Sequence, residues 1–119
     1  MTKNDLFIGC LGNGITVCDK SREEHGDYKH IAHIRESGVI KWYIDKSTLP
    51  AEVLGAILRH ADGQHLTFLT RFNSMSPINR YAYLADHATL SDFLTALKEP
   101  TIERKIAYLF KRQLERDAE

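Results

Sequence analysis

The sequence predicts an α+β fold: an N-terminal four-stranded antiparallel β-meander packed against a C-terminal set of three or four helices. Three observations predict it. At Lys46-Ser47-Thr48-Leu49-Pro50 the hydrophobic period changes from two to about 3.6 and does not change back. Before that point, alternating apolar residues are punctuated by Asn13-Gly14 and Ser37-Gly38, both turn dipeptides. After it, Pro50, Ser76-Pro77 and Thr101 supply the chemistry of helix starts.

The strands come first, over about 5–45. Leu6, Ile8 and Cys10 alternate on one face, and Ile15 and Val17 return on the same face across Asn13-Gly14. A two-residue turn there sets Cys10 opposite Val17 and Cys18 opposite Gly9. The two thiols then point to opposite faces, and no disulfide joins them. Gly9, Gly12 and Gly14 lack both the GxGxxG order and the following helix of a dinucleotide site, so they read as turn and strand glycines. The run Lys20 to Asp27 has no apolar residue and reads as a solvated loop. A second ribbon, Tyr28 to Glu36 and Val39 to Ile44, follows. With Ser37-Gly38 as a two-residue turn, Ile31, His33, Ile40, Trp42 and Ile44 form the core face. Tyr28, His30, Ala32, Ile34, Lys41 and Tyr43 form the outer one.

The helices follow, over about 50–116. Leu54, Leu58, Ala61, His65, Phe68, Phe72 and Met75 step by four and three, the stripe of an amphipathic helix. Gly63 predicts a kink or a split within it, at a cost of about 1 kcal/mol relative to alanine. Ser76 caps a second helix with Ile78, Tyr81 and Leu84 inward. Thr89-Leu90-Ser91-Asp92 is an acidic variant of a capping box leading into Phe93, Leu94 and Leu97. Pro100 ends that helix, and Thr101 caps a last one with Ile102, Ile106, Leu109 and Phe110 as its stripe and Glu103 in its first turn. Gln113 to Glu119 is polar and is expected to fray.

At 119 residues, the chain has the size of one domain, and a chain this long buries roughly two-thirds of its unfolded surface without staples. No linker or repeat divides it, and four strands alone would expose their apolar face. One α+β domain over 1–119 is therefore expected. Lys plus Arg and Asp plus Glu are both 16, for a formal net charge of zero. Nucleic-acid binders usually carry a basic surplus, so that class is disfavoured. Zero charge also removes a guard against self-association, so the expected partner is another protein or a second copy in a homodimer. No apolar run reaches the ~20 residues of a membrane span, and the polar start does not resemble a signal peptide. The expected location is the cytoplasm, which suits two free thiols.

Few residues point to chemistry. Six histidines are the obvious metal or proton-transfer candidates. His30 and His33 fall on opposite faces of a strand, and His60 and His65 are about 140° apart on a helix, where zinc helices use i and i+4. HExxH, CxxC and calcium-loop patterns are absent. No metal, cofactor or catalytic residue is assigned. Glu24 and His25, beside Glu23 and Asp27, put acids next to an imidazole, but in an open loop that suits binding better than acid–base catalysis. Tyr28, His30, Lys41 and Tyr43 form an aromatic-basic patch of the kind that anchors a protein partner. The expected function is a non-enzymatic interaction module (adaptor, regulator or inhibitor) whose contact surface is Tyr28, His30, Lys41, Tyr43, Glu24 and His25. The alternative is a nucleic-acid-associated regulator using Arg104, Lys105, Lys111 and Arg112 of the last helix. A third reading is a small metal- or His-dependent enzyme on His25 and His30.

The stretch Leu11-Gly-Asn-Gly-Ile-Thr-Val-Cys18, continuing through Arg22-Glu-Glu-His-Gly-Asp-Tyr-Lys-His-Ile-Ala-His-Ile34, resembles small accessory proteins of bacterial conjugative and other mobile elements. Arg71-Phe-Asn-Ser-Met75 and Arg80-Tyr-Ala-Tyr-Leu84 extend the likeness, which covers most of the chain. The resemblance brings no catalytic residue or cofactor. It implies a bacterial cytoplasm, an accessory gene, and a role in regulation or in countering host defence.

Overall fold

The computed structural model describes residues 1–11 and 14–118. A 3₁₀ turn at Lys3–Asp5 leads into β1 (Leu6–Leu11), β2 (Gly14–Glu24), β3 (Asp27–Ile34) and β4 (Ile40–Trp42). These form one sheet in the order β1-β2-β3-β4, antiparallel throughout. A second 3₁₀ turn, Lys46–Thr48, precedes α1 (Ala51–Ser74), α2 (Pro77–His87), α3 (Leu90–Ala96) and α4 (Ile102–Asp117). The meander-then-helices architecture is the α+β fold that the change of period predicts. The chain divides into two compact units, 1–68 and 69–119, with the division inside α1.

In the first unit the start of α1 covers one face of the sheet. Val53, Ile57 and Ala61 bury against Val17, Ile31, Ala32 and Ile34, with Leu6, Ile15, Ile40, Trp42, Ile44 and Leu49 packed around them. Fully burying each large member contributes about 1.5–3 kcal/mol. The helical stripe differs from the expected one by a rotation of one residue. Leu54 is half-buried and Leu58 is exposed, while Val53 and Ile57 face the sheet. From Ala61 onward the expected phase holds, with Phe68 buried. Gly63 does not split the helix, which runs unbroken for 24 residues.

The sheet register differs from expectation in two places. Leu11 pairs with Gly14 and Cys10 with Ile15, two residues from the register that an Asn13-Gly14 turn demands. Asn13 itself lies outside the described residues. An even shift preserves faces, so Cys10 and Cys18 still point apart, and both are free.

At the second ribbon the shift is odd. Arg35 N–H donates to Val39 O at 2.8 Å and Gly38 N–H to Arg35 O at 2.8 Å, which closes a three-residue loop with Gly38 at φ +90°. Ala32 therefore pairs with Trp42, His33 with Lys41 and Ile34 with Ile40. Ala32 and Ile34 enter the core, and His33 leaves it. The loop docks on α1, where Gln64 Nε2 donates to Glu36 O at 3.0 Å and His65 Nδ1 to Ser37 O at 2.7 Å.

The second unit packs around Phe72, Leu84, Ala96 and Leu109. Ser76, Thr89 and Thr101 are the N-caps of α2, α3 and α4, each hydroxyl accepting a backbone N–H, as the sequence predicts. In α2, Leu84 is buried and Tyr81 packs against the core as expected, but Ile78 is not inward, and the buried face of α3 is not the expected one. Ile78, Leu94 and Leu97 are exposed, whereas Asp92 and Ala96 are buried. α4 stays helical to Asp117, past the expected point of fraying. Asp92 holds the unit together from inside: Arg112 Nε donates to Oδ1 at 3.0 Å and Arg116 Nη1 to Oδ2 at 2.8 Å. Burial raises this carboxyl, but the hydrogen bonds from Arg112 and with Thr89 outweigh burial and hold it below its usual value.

Candidate interaction face

The site is built on the β2–β3 hairpin. The polar run Lys20–Asp27, read as a loop, is mostly strand. β2 continues to Glu24, Glu23 pairs with Tyr28, and Glu24 pairs with Asp27. His25 (φ +54°) and Gly26 (φ +82°) make a two-residue turn with both central residues left-handed. Only Lys20-Ser21-Arg22 bulges out between the Asp19–Lys29 and Glu23–Tyr28 pairs. The Asp19 carboxylate closes that bulge by accepting from Ser21 N–H at 2.9 Å and Ser21 Oγ at 2.6 Å. Sequence missed this arm because neither of its faces is apolar, so no alternation marks it.

The hairpin arm and the end of β4 frame an open groove of about 550 Å³ lined by Glu24, His25, Tyr28, His30 and Tyr43, with Asp27, Lys29 and Ile44 completing it. Five of the six expected contact residues thus come together. The sixth, Lys41, joins through Tyr43, its Nζ 5.6 Å from that ring centroid. His30 meets Tyr43 edge-on at 6.2 Å. The charges pair loosely, Lys29 Nζ to Glu24 at 3.8 Å and His30 Nε2 to Asp27 at 3.6 Å.

A residue the sequence reading left unassigned extends this face. Phe7 on β1 pairs with Cys18, so it shares the side of the sheet away from α1, and its ring lies 5.7 Å from that of Tyr28. Gly9 makes room for it, since a Cβ there would sit 3.0 Å from the Phe7 ring. Phe7 is 45% exposed and Tyr43 51%. The signal for Phe7 was available in the alternation, but only the β1–β2 register brings its ring toward Tyr28.

Basic residues border the rings. His33 stands opposite Lys41, with Nδ1 3.5 Å from Thr16 Oγ1. Burial, then the charges of Arg35 and Lys41, push its pKa below the ordinary histidine value. Arg35 Nε is buried without a hydrogen-bond partner. Cys18, beneath this face, is buried, and burial followed by the Asp27 charge raises its thiol pKa.

The other candidates fare differently. Arg112 is committed to Asp92 and to Glu115, and Lys111 lies 4.0 Å from Glu115, so these two are drawn into pairs. Arg104 is exposed and Lys105 half-buried on α4. His65 and His87 hydrogen-bond backbone carbonyls. Among the described residues no group of three or more His, Cys, Asp or Glu is placed to hold a metal. His25 and His30 sit in an open groove, which offers solvent access and contact area in place of a water-excluding centre for catalysis. Among the described residues no helix is long and apolar enough to cross a membrane. No family model, curated protein or solved structure matches this chain.

Proposed function

We propose that this chain is a non-enzymatic protein-interaction module, an adaptor, regulator or inhibitor, that binds an acidic segment of a partner protein through the outer sheet face. The observation that carries the reading is the coincidence on one face of exposed rings and cations. Phe7, Tyr28 and Tyr43 supply amphipathic contact area, and His30, His33, Arg35 and Lys41 border them. Tyr and Arg are the residue types that dominate binding hot spots. Arg35 and Lys41 have no carboxylate within ion-pair distance among the described residues, so this part of the face is complementary to an acidic group. The resemblance to mobile-element accessory proteins fits a regulator or a protein that counters host defence. The nucleic-acid alternative is weaker, because Arg112 is already used inside the fold.

The test compares the wild-type chain with a Lys41→Glu/Tyr43→Ala double variant as bait in an extract of its own organism. One protein retained in stoichiometric amount is expected, and its purified complex should weaken about thirtyfold in the variant, with binding that falls as salt rises. Equal retention by both baits would remove the face from the reading. If nothing is retained while single-stranded DNA or RNA binds with steep salt dependence, the nucleic-acid alternative replaces it.

A further inference from the structure

A second cavity of about 460 Å³ opens where the β2 bulge meets the entry to α1. Its size falls in the range of small-molecule sites, roughly 300–1,000 Å³. Its apolar side is Ile31, Ile44, Leu49 and Pro50, and its polar side is Asp19, Arg22, Lys29 and Asp45. Asp19 is only 5% exposed, although it is a carboxylate. Both hydrogen bonds from Ser21 go to Oδ1, and Arg22 Nε lies 4.0 Å from Oδ2, beyond hydrogen-bond distance. Oδ2 thus accepts no hydrogen bond among the described residues, yet it is not sealed from solvent. The bulge uses one of its oxygens, and the residue lines the cavity.

We propose that this cavity binds a small zwitterion, an α-amino acid with an aliphatic side chain. The ammonium sits on Asp19 Oδ2, the carboxylate meets Arg22 and Lys29, and the side chain lies on Ile31, Ile44, Leu49 and Pro50. Two carboxylates and two side-chain cations, with Met1 also in the lining, surround an apolar floor and suit a ligand that carries both signs. Arg22 is free to serve, since its side chain is 68% exposed and its planar fork suits a carboxylate. This site shares Lys29 and Ile44 with the ring-face groove but uses none of its rings.

The experiment is an NMR titration of the full chain with L-leucine, L-valine and L-methionine, each to about 10 mM, ten times a millimolar Kd. Isoamylamine, which lacks the carboxylate, and 4-methylpentanoate, which lacks the ammonium, serve as matched probes. Saturable shifts are expected at Asp19, Ile31 and Ile44 for at least one amino acid, with both probes about tenfold weaker or worse. Asp19→Asn keeps an oxygen for Ser21 and loses the charge, and it should lose binding at least tenfold while its backbone spectrum stays that of a folded chain. Should that variant not fold, Arg22→Gln carries the same expectation. No saturable shift with any of the three amino acids overturns the proposal. So does equal binding by either probe, or undiminished binding by the folded variant.

Discussion

Replacing Gly38 with alanine should destabilise the first unit more than any other glycine-to-alanine change in it. Two separate costs meet at this position. The residue sits at φ +90°, and holding an L-residue in such a region costs about 1–3 kcal/mol. A Cβ there would also overlap His65 Cβ and lie 2.7 Å from the Cα and N of His65, which are backbone atoms of α1. No rotamer change relieves that overlap. The loop is also pinned from both sides by the Gln64 and His65 hydrogen bonds, so relief means lifting it off the helix. Overpacking of this kind costs about 1–3 kcal/mol. The sum is on the order of 4 kcal/mol, against a total of about 5–15 kcal/mol for an ordinary domain. The assay is urea unfolding followed by fluorescence of Trp42, the single tryptophan, which packs against the core of this unit. Gly26→Ala is the control: φ is +82° there, but nothing lies within 4 Å of the added Cβ, so only the backbone cost applies. A Gly38→Ala unfolding free energy within about 1 kcal/mol of wild type would refute the close packing of loop on helix. Equal losses at Gly38 and Gly26 would refute the steric half of the reasoning.

Gly63→Ala should stabilise α1 by about 1 kcal/mol, because the helix is unbroken there and the added Cβ meets no atom within 4 Å; a lower thermal midpoint would contradict it. Asp92→Asn should cost the second unit about 2 kcal/mol by weakening two charged hydrogen bonds, as read by hydrogen exchange in α3 and α4. Because the folded pKa of Asp92 lies below 3.8, its stabilisation is complete above that unfolded value and is lost as pH falls through the lower folded one; the Asn variant should lack this acid dependence. Cys10 is exposed and Cys18 is buried with a raised thiol pKa, so a thiol reagent at neutral pH should modify one cysteine quickly and the second only on unfolding; two fast equivalents would contradict the burial of Cys18.

The fold class was legible because it rests on period, and period is a property of neighbouring residues. Phase is different. On α1, Leu54-Leu58 and Val53-Ile57 both step by four, and their stripes are about 100° apart. Nothing within the helix chooses between them. The choice is made by the sheet, which takes the β-branched pair and leaves Leu58 exposed. The same holds in α3, where a buried Asp92 looks like an error until Arg112 and Arg116 arrive from twenty or more residues away. Caps at Ser76, Thr89 and Thr101 were readable because each is satisfied within three residues.

The outer face shows how residues can be grouped together from a wrong register. A two-residue turn at Ser37-Gly38 would place Tyr28, His30, Ala32 and Ile34 on one side with Lys41 and Tyr43. The three-residue loop slips β3 by one against β4, which alone would turn every one of those β3 residues over. Between the Val17–Ala32 and Cys18–His30 pairs, however, β3 carries one extra residue, Ile31. That bulge reverses the slip for everything before it. Ala32 and Ile34 stay inward, whereas His30 and Tyr28 return outward, beside Tyr43 and Phe7. Ile31 itself is buried at the crossover, 1% exposed, and packs in the same core as its neighbour Ala32. The rings and cations of the outer face therefore depend on two one-residue irregularities that cancel, one held by Gly38 against α1 and the other by Ile31 in the core. Both lie on the opposite side of the sheet from the partner they would serve.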